Sequence, residues 1–99
     1  MEKTKWVVID GARYNLAKTV DLSISIGEGA WSQGIMLKGV YLMPRTGRVI
    51  LHTYSIWENP RTHCCEGDNY FFADDWAISR LAKETGNEQL MALVPITED

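Results

Sequence analysis

The 99-residue sequence has only two cysteines, three prolines and no long hydrophobic run. The cysteines are neighbours, Cys64 and Cys65, so they cannot link distant segments, and we expect reduced thiols. No apolar run approaches the roughly 18 residues of a membrane-spanning helix, and the polar residues 1–5 do not resemble a secretion leader. These absences predict a soluble, cytoplasmic protein that makes no membrane contact.

Positive charge is also scarce, because ten Lys and Arg side chains face 13 Asp and Glu, a net charge of −3. General nucleic-acid binders carry a basic excess, so direct nucleic-acid binding is not expected. The charge is unevenly spread, however. Residues 1–48 carry seven basic and four acidic side chains (+3), and residues 49–99 carry three and nine (−6). The C-terminal half is therefore expected to meet a basic surface.

Length and hydropathy predict one α+β domain over residues 1–99, because 45% hydrophobic and 23% charged residues are ordinary globular values. The predicted element order is β-β-β-β-β-α-β. It would form a twisted, mainly antiparallel sheet of five to six strands with one helix packed on a face. A small, partly closed β-barrel is the alternative.

Three strands are predicted in the N-terminal third. Residues 5–9 and 12–16 should pair through Asp10-Gly11, a dipeptide typical of a type I′ turn. Residues 20–26 alternate apolar and polar, which predicts one half-buried strand. The glycine-rich residues 27–34 follow as a connecting loop.

A second hairpin is predicted for residues 35–43 and 48–57, with the turn at residues 44–47. Both of its faces are apolar. This pattern is typical of a sheet centre covered on both sides, but it would also fit an oligomer contact on one side. A homodimer is therefore an open possibility.

The C-terminal third begins with residues 59–73, which we interpret as a long irregular loop. Asp74 or Asp75 should cap a helix that runs to about Thr85 and stops at Gly86. Its buried stripe should comprise Ile78, Leu81, Ala82 and Thr85. Residues 89–94 are predicted to form a short buried strand.

Residues with chemical potential are few and poorly spaced. His52, His63, Cys64 and Cys65 match a zinc ligand set in number, but adjacent cysteines lack the usual spacing. The glycine loop lacks the phosphate-binding fingerprints, and no carboxylate pair suggests acid–base catalysis. We therefore expect no metal, no cofactor and no enzymatic activity. The alternative is a ligand-binding or catalytic cleft lined by His52, Tyr54, His63 and Cys64.

The aromatic residues are more informative. Trp6 and Trp57 lie on predicted strands and are expected in the core. Trp76 should point outward from the helix, where Arg80 at i+4 can form a cation–π pair with it. Trp31 lies in the glycine loop and is the second tryptophan expected to contact a partner.

From residue 57 to 76, five carboxylates surround three aromatic side chains, with Arg61 as the one basic residue. An acidic segment with embedded aromatics suits a basic protein surface, since charge steers the encounter and aromatics supply affinity. The candidate partner-binding residues are Trp31, Glu66, Asp68, Tyr70, Asp74, Asp75, Trp76 and Arg80.

These features favour a small non-enzymatic protein-binding module. It would act as an inhibitor or regulator that docks on a basic surface of a larger, nucleic-acid-processing complex. Small acidic anti-defence proteins of phages and mobile elements, such as anti-CRISPR proteins, work in this way, although the comparison is one of class and not of sequence. A ligand-binding protein or minor enzyme, and a homo-oligomeric structural protein, are the alternatives.

Overall fold

The computed structural model describes residues 5–27, 31, 34–55 and 67–94, which adopt an α+β fold. A separate two-stranded sheet pairs β1 with β2, and a four-stranded antiparallel sheet has the order β3-β4-β5-β6. The described residues form no closed barrel, and the α+β prediction is confirmed. The elements are β1 (Trp6–Ile9), β2 (Ala12–Asn15), a short 3₁₀ helix (Leu16–Lys18), β3 (Val20–Asp21), β4 (Ile35–Leu42), β5 (Val49–Ser55), β6 (Gly67–Phe72), α1 (Asp75–Thr85) and α2 (Glu88–Met91).

The β1–β2 hairpin forms as its turn predicts. Asp10 and Gly11 both have positive φ, 51° and 80°, as a type I′ turn requires. The return strand ends at Asn15, whose side chain accepts a hydrogen bond of 3.0 Å from the Ala17 amide and starts the 3₁₀ helix. Local turn chemistry therefore decides this element.

The continuous strand predicted for residues 20–26 is wrong. Only Val20 and Asp21 pair along β4, and Ile26 makes a single bridge to Leu37. Between them Ser23 takes a left-handed φ of 56°, because its amide donates a 2.8 Å hydrogen bond to Asp21 Oδ1. Burial still alternates through the segment, so the hydropathy pattern is kept while the strand ladder is lost.

The second hairpin, β4–β5, has its centre covered on both sides. One face of the sheet carries Val40, Val49 and Leu51 into a core with both helices. The opposite face carries Ile50 into a second core with β1 and the 3₁₀ helix. The protein's own layers thus explain the two apolar faces, and they require no second copy.

Two C-terminal assignments are corrected. Part of the predicted irregular loop, residues 67–72, is the edge strand β6, which pairs with residues 50–55 of β5. The predicted terminal strand is instead the short helix α2, which Asn87 caps by accepting hydrogen bonds from the amides of Gln89 and Leu90. The apolar run in residues 89–94 is short enough to fit either a strand or a helix. The Asn cap and the single buried leucine, Leu90, favour the helix.

The main helix α1 begins and ends as predicted. Asp74 is the N-cap, and its side chain accepts a 2.8 Å hydrogen bond from the Ala77 amide. Gly86 closes the helix with a left-handed φ of 66°. The buried stripe is rotated from the prediction, because Ala77, Leu81 and Ala82 are buried and Thr85 is exposed. No helix of the described residues is long and apolar enough to cross a membrane.

Candidate functional site

The predicted acidic aromatic segment is divided between two sides of the sheet. Asp68 and Tyr70 belong to β6 and lie on the side of the sheet that carries the β1–β2 hairpin. Asp74, Asp75 and Trp76 lie beyond the end of β6, at the start of α1, which packs on the opposite face. Because the two groups are separated by the sheet, they do not form one continuous patch.

On the hairpin side, a group of polar side chains that we call the sheet cluster consists of Lys38, His52, Tyr54, Asp68 and Tyr70. The register places Tyr70 directly opposite His52, and their rings stack with centroids 4.2 Å apart. Tyr54 is opposite Asp68 in the same ladder. Cross-strand pairing, which an irregular loop would lack, is what brings these side chains together.

Asp68 is the central acceptor of the sheet cluster. His52 Nε2 lies 2.7 Å from Asp68 Oδ1, and Lys38 Nζ lies 3.4 Å from the same oxygen. The hydrogen bond from His52 is the main reason that the pKa of Asp68 is lowered, with Lys38 adding to the effect. The imidazole is buried and the carboxylate is half exposed.

Lys38 enters this cluster through a β-bulge that sequence reasoning did not reveal. The β4–β5 register shifts between Leu37 and Gly39, and Lys38 is the extra residue. Its ammonium also lies 5.5 Å from the centroid of the Tyr54 ring. The only sequence signal is Gly39, because a glycine inside a strand often marks a bulge or a close approach.

Lys5 and Tyr41 border the sheet cluster. Contact with the Tyr70 hydroxyl is the main cause of the raised pKa of Lys5, against the opposing effect of burial. Burial is the main cause of the raised pKa of Tyr41, and Asp21 adds to it. Lys5 is thus tied to the sheet cluster through Tyr70, whereas the shift of the Tyr41 pKa comes mainly from burial.

The second group, which we call the helix patch, comprises Asp74, Asp75, Trp76 and Arg80 on α1. Trp76 points outward as predicted and is 67% exposed, the most exposed large hydrophobic side chain in the described part of the chain. The Arg80 guanidinium carbon lies 5.6 Å from the Trp76 ring centroid, so the predicted cation–π pair is present. Arg80 Nε also donates a 3.2 Å hydrogen bond to Glu84.

Trp31 lies under the helix patch and not in the solvent. It is only 9% exposed and belongs to the core beside α1. The Arg80 guanidinium lies 4.2 Å from its ring centroid, so Arg80 contacts both the buried and the exposed indole. Trp31 therefore supports the arginine beside Trp76 and offers little surface of its own to a partner.

Trp6, which we expected in the core, is 54% exposed. On the alternating burial of β1, Val7 and Ile9 face the core and Trp6 and Val8 face outward. The Arg13 guanidinium stacks on its ring with 5.0 Å to the centroid. The aromatic and β-branched run marks the strand correctly, but it does not indicate which face is buried.

Four of the sequence-based interpretations lie outside the described residues: Glu66 in the acidic segment, Trp57 in the core, and the roles of His63 and of the Cys64–Cys65 pair. Among the residues that the structure describes, no three His, Cys, Asp or Glu side chains are grouped as metal ligands. Of the four residues predicted to line a ligand-binding or catalytic cleft, His52 and Tyr54 are described. They share one face of β5, where both are members of the sheet cluster.

Comparison with known proteins gives no match to a protein-family model, to a curated protein or to a solved structure.

Proposed function

We propose that this protein is a non-enzymatic binding module of the cytoplasm that docks the helix patch onto a larger protein. The observation that carries the proposal is Trp76, a large aromatic side chain left 67% exposed at the start of a capped helix. Tryptophan is the residue most enriched at the energetic centres of protein interfaces. A helix that is packed on the core presents it with little loss of conformational entropy on binding.

Charge around the helix patch supports a partner with a basic surface. Residues 73–94, which follow β6 and include both helices, carry four carboxylates and two cations. Two of these carboxylates, Asp74 and Asp75, directly precede Trp76 and are exposed. Opposite charge would steer the encounter, and the indole would supply most of the affinity. A nucleic-acid-processing complex has a surface of the required sign, which is why we propose inhibition or regulation of such a complex as the role.

The test is affinity capture from a lysate of the cells that encode the protein, with quantitative mass spectrometry. Trp76→Ala should reduce recovery of the partner, because loss of an interface hot spot costs about 2 kcal/mol or more, near 30-fold in affinity. Trp6→Ala is the matched control, since it also removes an exposed tryptophan but from the other side of the sheet. Equal recovery with Trp76→Ala and wild type would refute the proposal.

A second candidate, a small-ligand-binding protein or minor enzyme, is favoured by one observation. His52 is oriented by Asp68 at 2.7 Å and stacked on Tyr70, which is how a histidine is held for acid–base work. His52→Gln distinguishes the two candidates. If the helix patch docks, His52→Gln should leave partner capture unchanged. If His52 is functional, His52→Gln should abolish ligand binding or catalysis, and Trp76→Ala should leave that activity intact.

A further inference from the structure

A groove of about 640 Å³ lies on the side of the molecule formed by the β1–β2 hairpin. Its walls come from Trp6, Arg13 and Tyr14 of the hairpin, Lys18 of the 3₁₀ helix, and Met43 and Arg45 at the β4–β5 turn. The volume is in the range of small-molecule binding sites. Neither the sequence-based site nor the helix patch includes any of these residues.

The charges in this groove have one sign. Arg13, Lys18 and Arg45 are all exposed, and none of the described residues that line the groove carries a carboxylate. In residues 5–55 as a whole, the described part carries six cations and two carboxylates. An occupant of the groove must therefore carry negative charge to be attracted.

The groove also has an aromatic platform. Trp6 carries the Arg13 guanidinium on its ring and is still 54% exposed, so indole surface remains for a second planar group. Aromatic side chains stack on bases with little dependence on base identity. A guanidinium beside the platform supplies hydrogen-bond donors that match a phosphate.

Local structure holds these groups in place. The Met43 amide donates to the Arg48 carbonyl at 2.8 Å, and the Gly47 amide donates to the Met43 carbonyl at 2.9 Å, which closes the turn that carries Arg45. Lys18 is the last residue of a 3₁₀ helix that is capped by Asn15. Arg45 and Lys18 are thus mounted on closed local structures, and Arg13 is held on the strand β2.

We propose that this groove binds a nucleotide, with its base stacked on Trp6 and its phosphate held by Arg13, Lys18 and Arg45. A ligand with both a planar ring and a phosphate uses both features of the groove, whereas an acidic peptide uses only the charge. A free nucleotide fits better than a long single strand, because the groove has the size of a small ligand. The net charge of −3 would also oppose an extended polyanion.

The test is calorimetric titration of the full chain at low salt with AMP, adenosine, inorganic phosphate, the single strand dT10 and an eight-residue polyglutamate peptide. AMP should bind at one site and more tightly than adenosine or phosphate. Trp6→Ala should weaken AMP binding by about fivefold or more, the effect of losing one base–aromatic stack. Trp6→Phe should restore most of the affinity, and Arg45→Glu should reduce it.

The control variants are Trp76→Ala and Lys83→Glu, which change an exposed tryptophan and an exposed cation on α1. Both should bind AMP as the wild type does. No AMP binding, or binding that Trp6→Ala leaves unchanged, would overturn the proposal. Tighter binding of polyglutamate or of dT10 than of AMP would overturn it as well, and would identify an acidic peptide or a single strand as the occupant.

Discussion

Asp68 on β6 contacts His52 on β5 and Lys38 on β4. Its effect on the stability of the fold should depend on pH. The pKa of Asp68 is lowered in the folded chain. Its contribution to the free energy of unfolding is therefore fully present above the pKa of the unfolded chain, about 3.9. As pH falls through that value and then through the lower folded pKa, the contribution is lost. Acidification should therefore remove a stabilisation that depends on this carboxylate.

We expect Asp68→Asn to unfold at lower urea concentration than the wild type at pH 5.5, and the two midpoints to converge as the pH is lowered to 2. Asp75→Asn removes an exposed carboxylate on α1 and controls for the change in net charge. A difference in urea midpoint between Asp68→Asn and the wild type that stays constant or widens on acidification would contradict the assigned role of Asp68.

Gly39 is the position where the sheet tolerates no side chain without rearrangement. A Cβ at residue 39 would lie 2.8 Å from Tyr41 Oη and 2.9 Å from Tyr41 Cε2, closer than such atoms approach. Gly39 directly follows the bulge residue Lys38, whose ammonium lies 3.4 Å from Asp68 Oδ1. A Cβ here would therefore require the end of the Tyr41 side chain to shift, and the backbone of Gly39 is not left-handed.

Gly39→Ala should lower the free energy of unfolding by about 1–3 kcal/mol, the usual cost of overpacking. Urea denaturation of the single variants and of the double variant with Tyr41→Ala measures the coupling between the two positions. In the Tyr41→Ala background the alanine at position 39 should cost about 1 kcal/mol less. Equal costs in both backgrounds would show that the Tyr41 ring is not the obstacle.

At the scale of elements, α1 combines a structural role and the proposed binding role within three residues. Asp74 caps the helix, whereas Asp75 is on its first turn and has no cap hydrogen bond. The adjacent carboxylates therefore separate the two roles, because both add charge beside Trp76 and only one holds the helix end.

Asp74→Ala should lower the free energy of unfolding by about 1 kcal/mol through loss of the cap. Asp75→Ala should cost less, since only the interaction with the helix dipole is lost, typically about 0.3–1 kcal/mol. Asp74→Asn keeps a capping oxygen and should be close to wild type in urea denaturation. A destabilisation by Asp74→Asn as large as that by Asp74→Ala would mean that charge, and not the cap, is what matters.

The elements differ in how far the sequence could predict them. The turn at Asp10-Gly11 and the ends of α1 at Asp74 and Gly86 depend on neighbouring residues, so short motifs were sufficient. The strand β6 depends on pairing with β5, which is distant in the chain. Pairing with β5 places Asp68, Tyr70 and Phe72 on the face that points to the hairpin, and this mixed polar and aromatic set has no clear hydropathy alternation of its own.

The candidate site was predicted in part for the same reason. The outward position of Trp76 and its pairing with Arg80 follow from helical geometry alone. The burial of Trp31 and the exposure of Trp6 depend on which layer covers which face, and no local pattern contains that information. The split of the acidic segment likewise arises because Asp68 and Tyr70 lie on the face of β6 that points away from α1.

At the scale of the whole molecule, the basic N-terminal half and the acidic C-terminal half of the chain supply surfaces on opposite sides of the sheet. The cation-lined groove belongs to the hairpin layer, and the helix patch belongs to the layer on the other face of the sheet. The two proposed binding surfaces share no residue, so neither proposed ligand would need a side chain that the other uses.

Among the described residues, the two exposed tryptophans allow the docking surface to be located within one sample. Hydroxyl-radical footprinting of the isolated protein should oxidise both Trp6, which is 54% exposed, and Trp76, which is 67% exposed. In the purified complex with the captured partner, docking by the helix patch predicts strong protection of Trp76 and continued oxidation of Trp6. Oxidation of Trp76 that is as rapid in the complex as in the free protein would contradict docking through this patch.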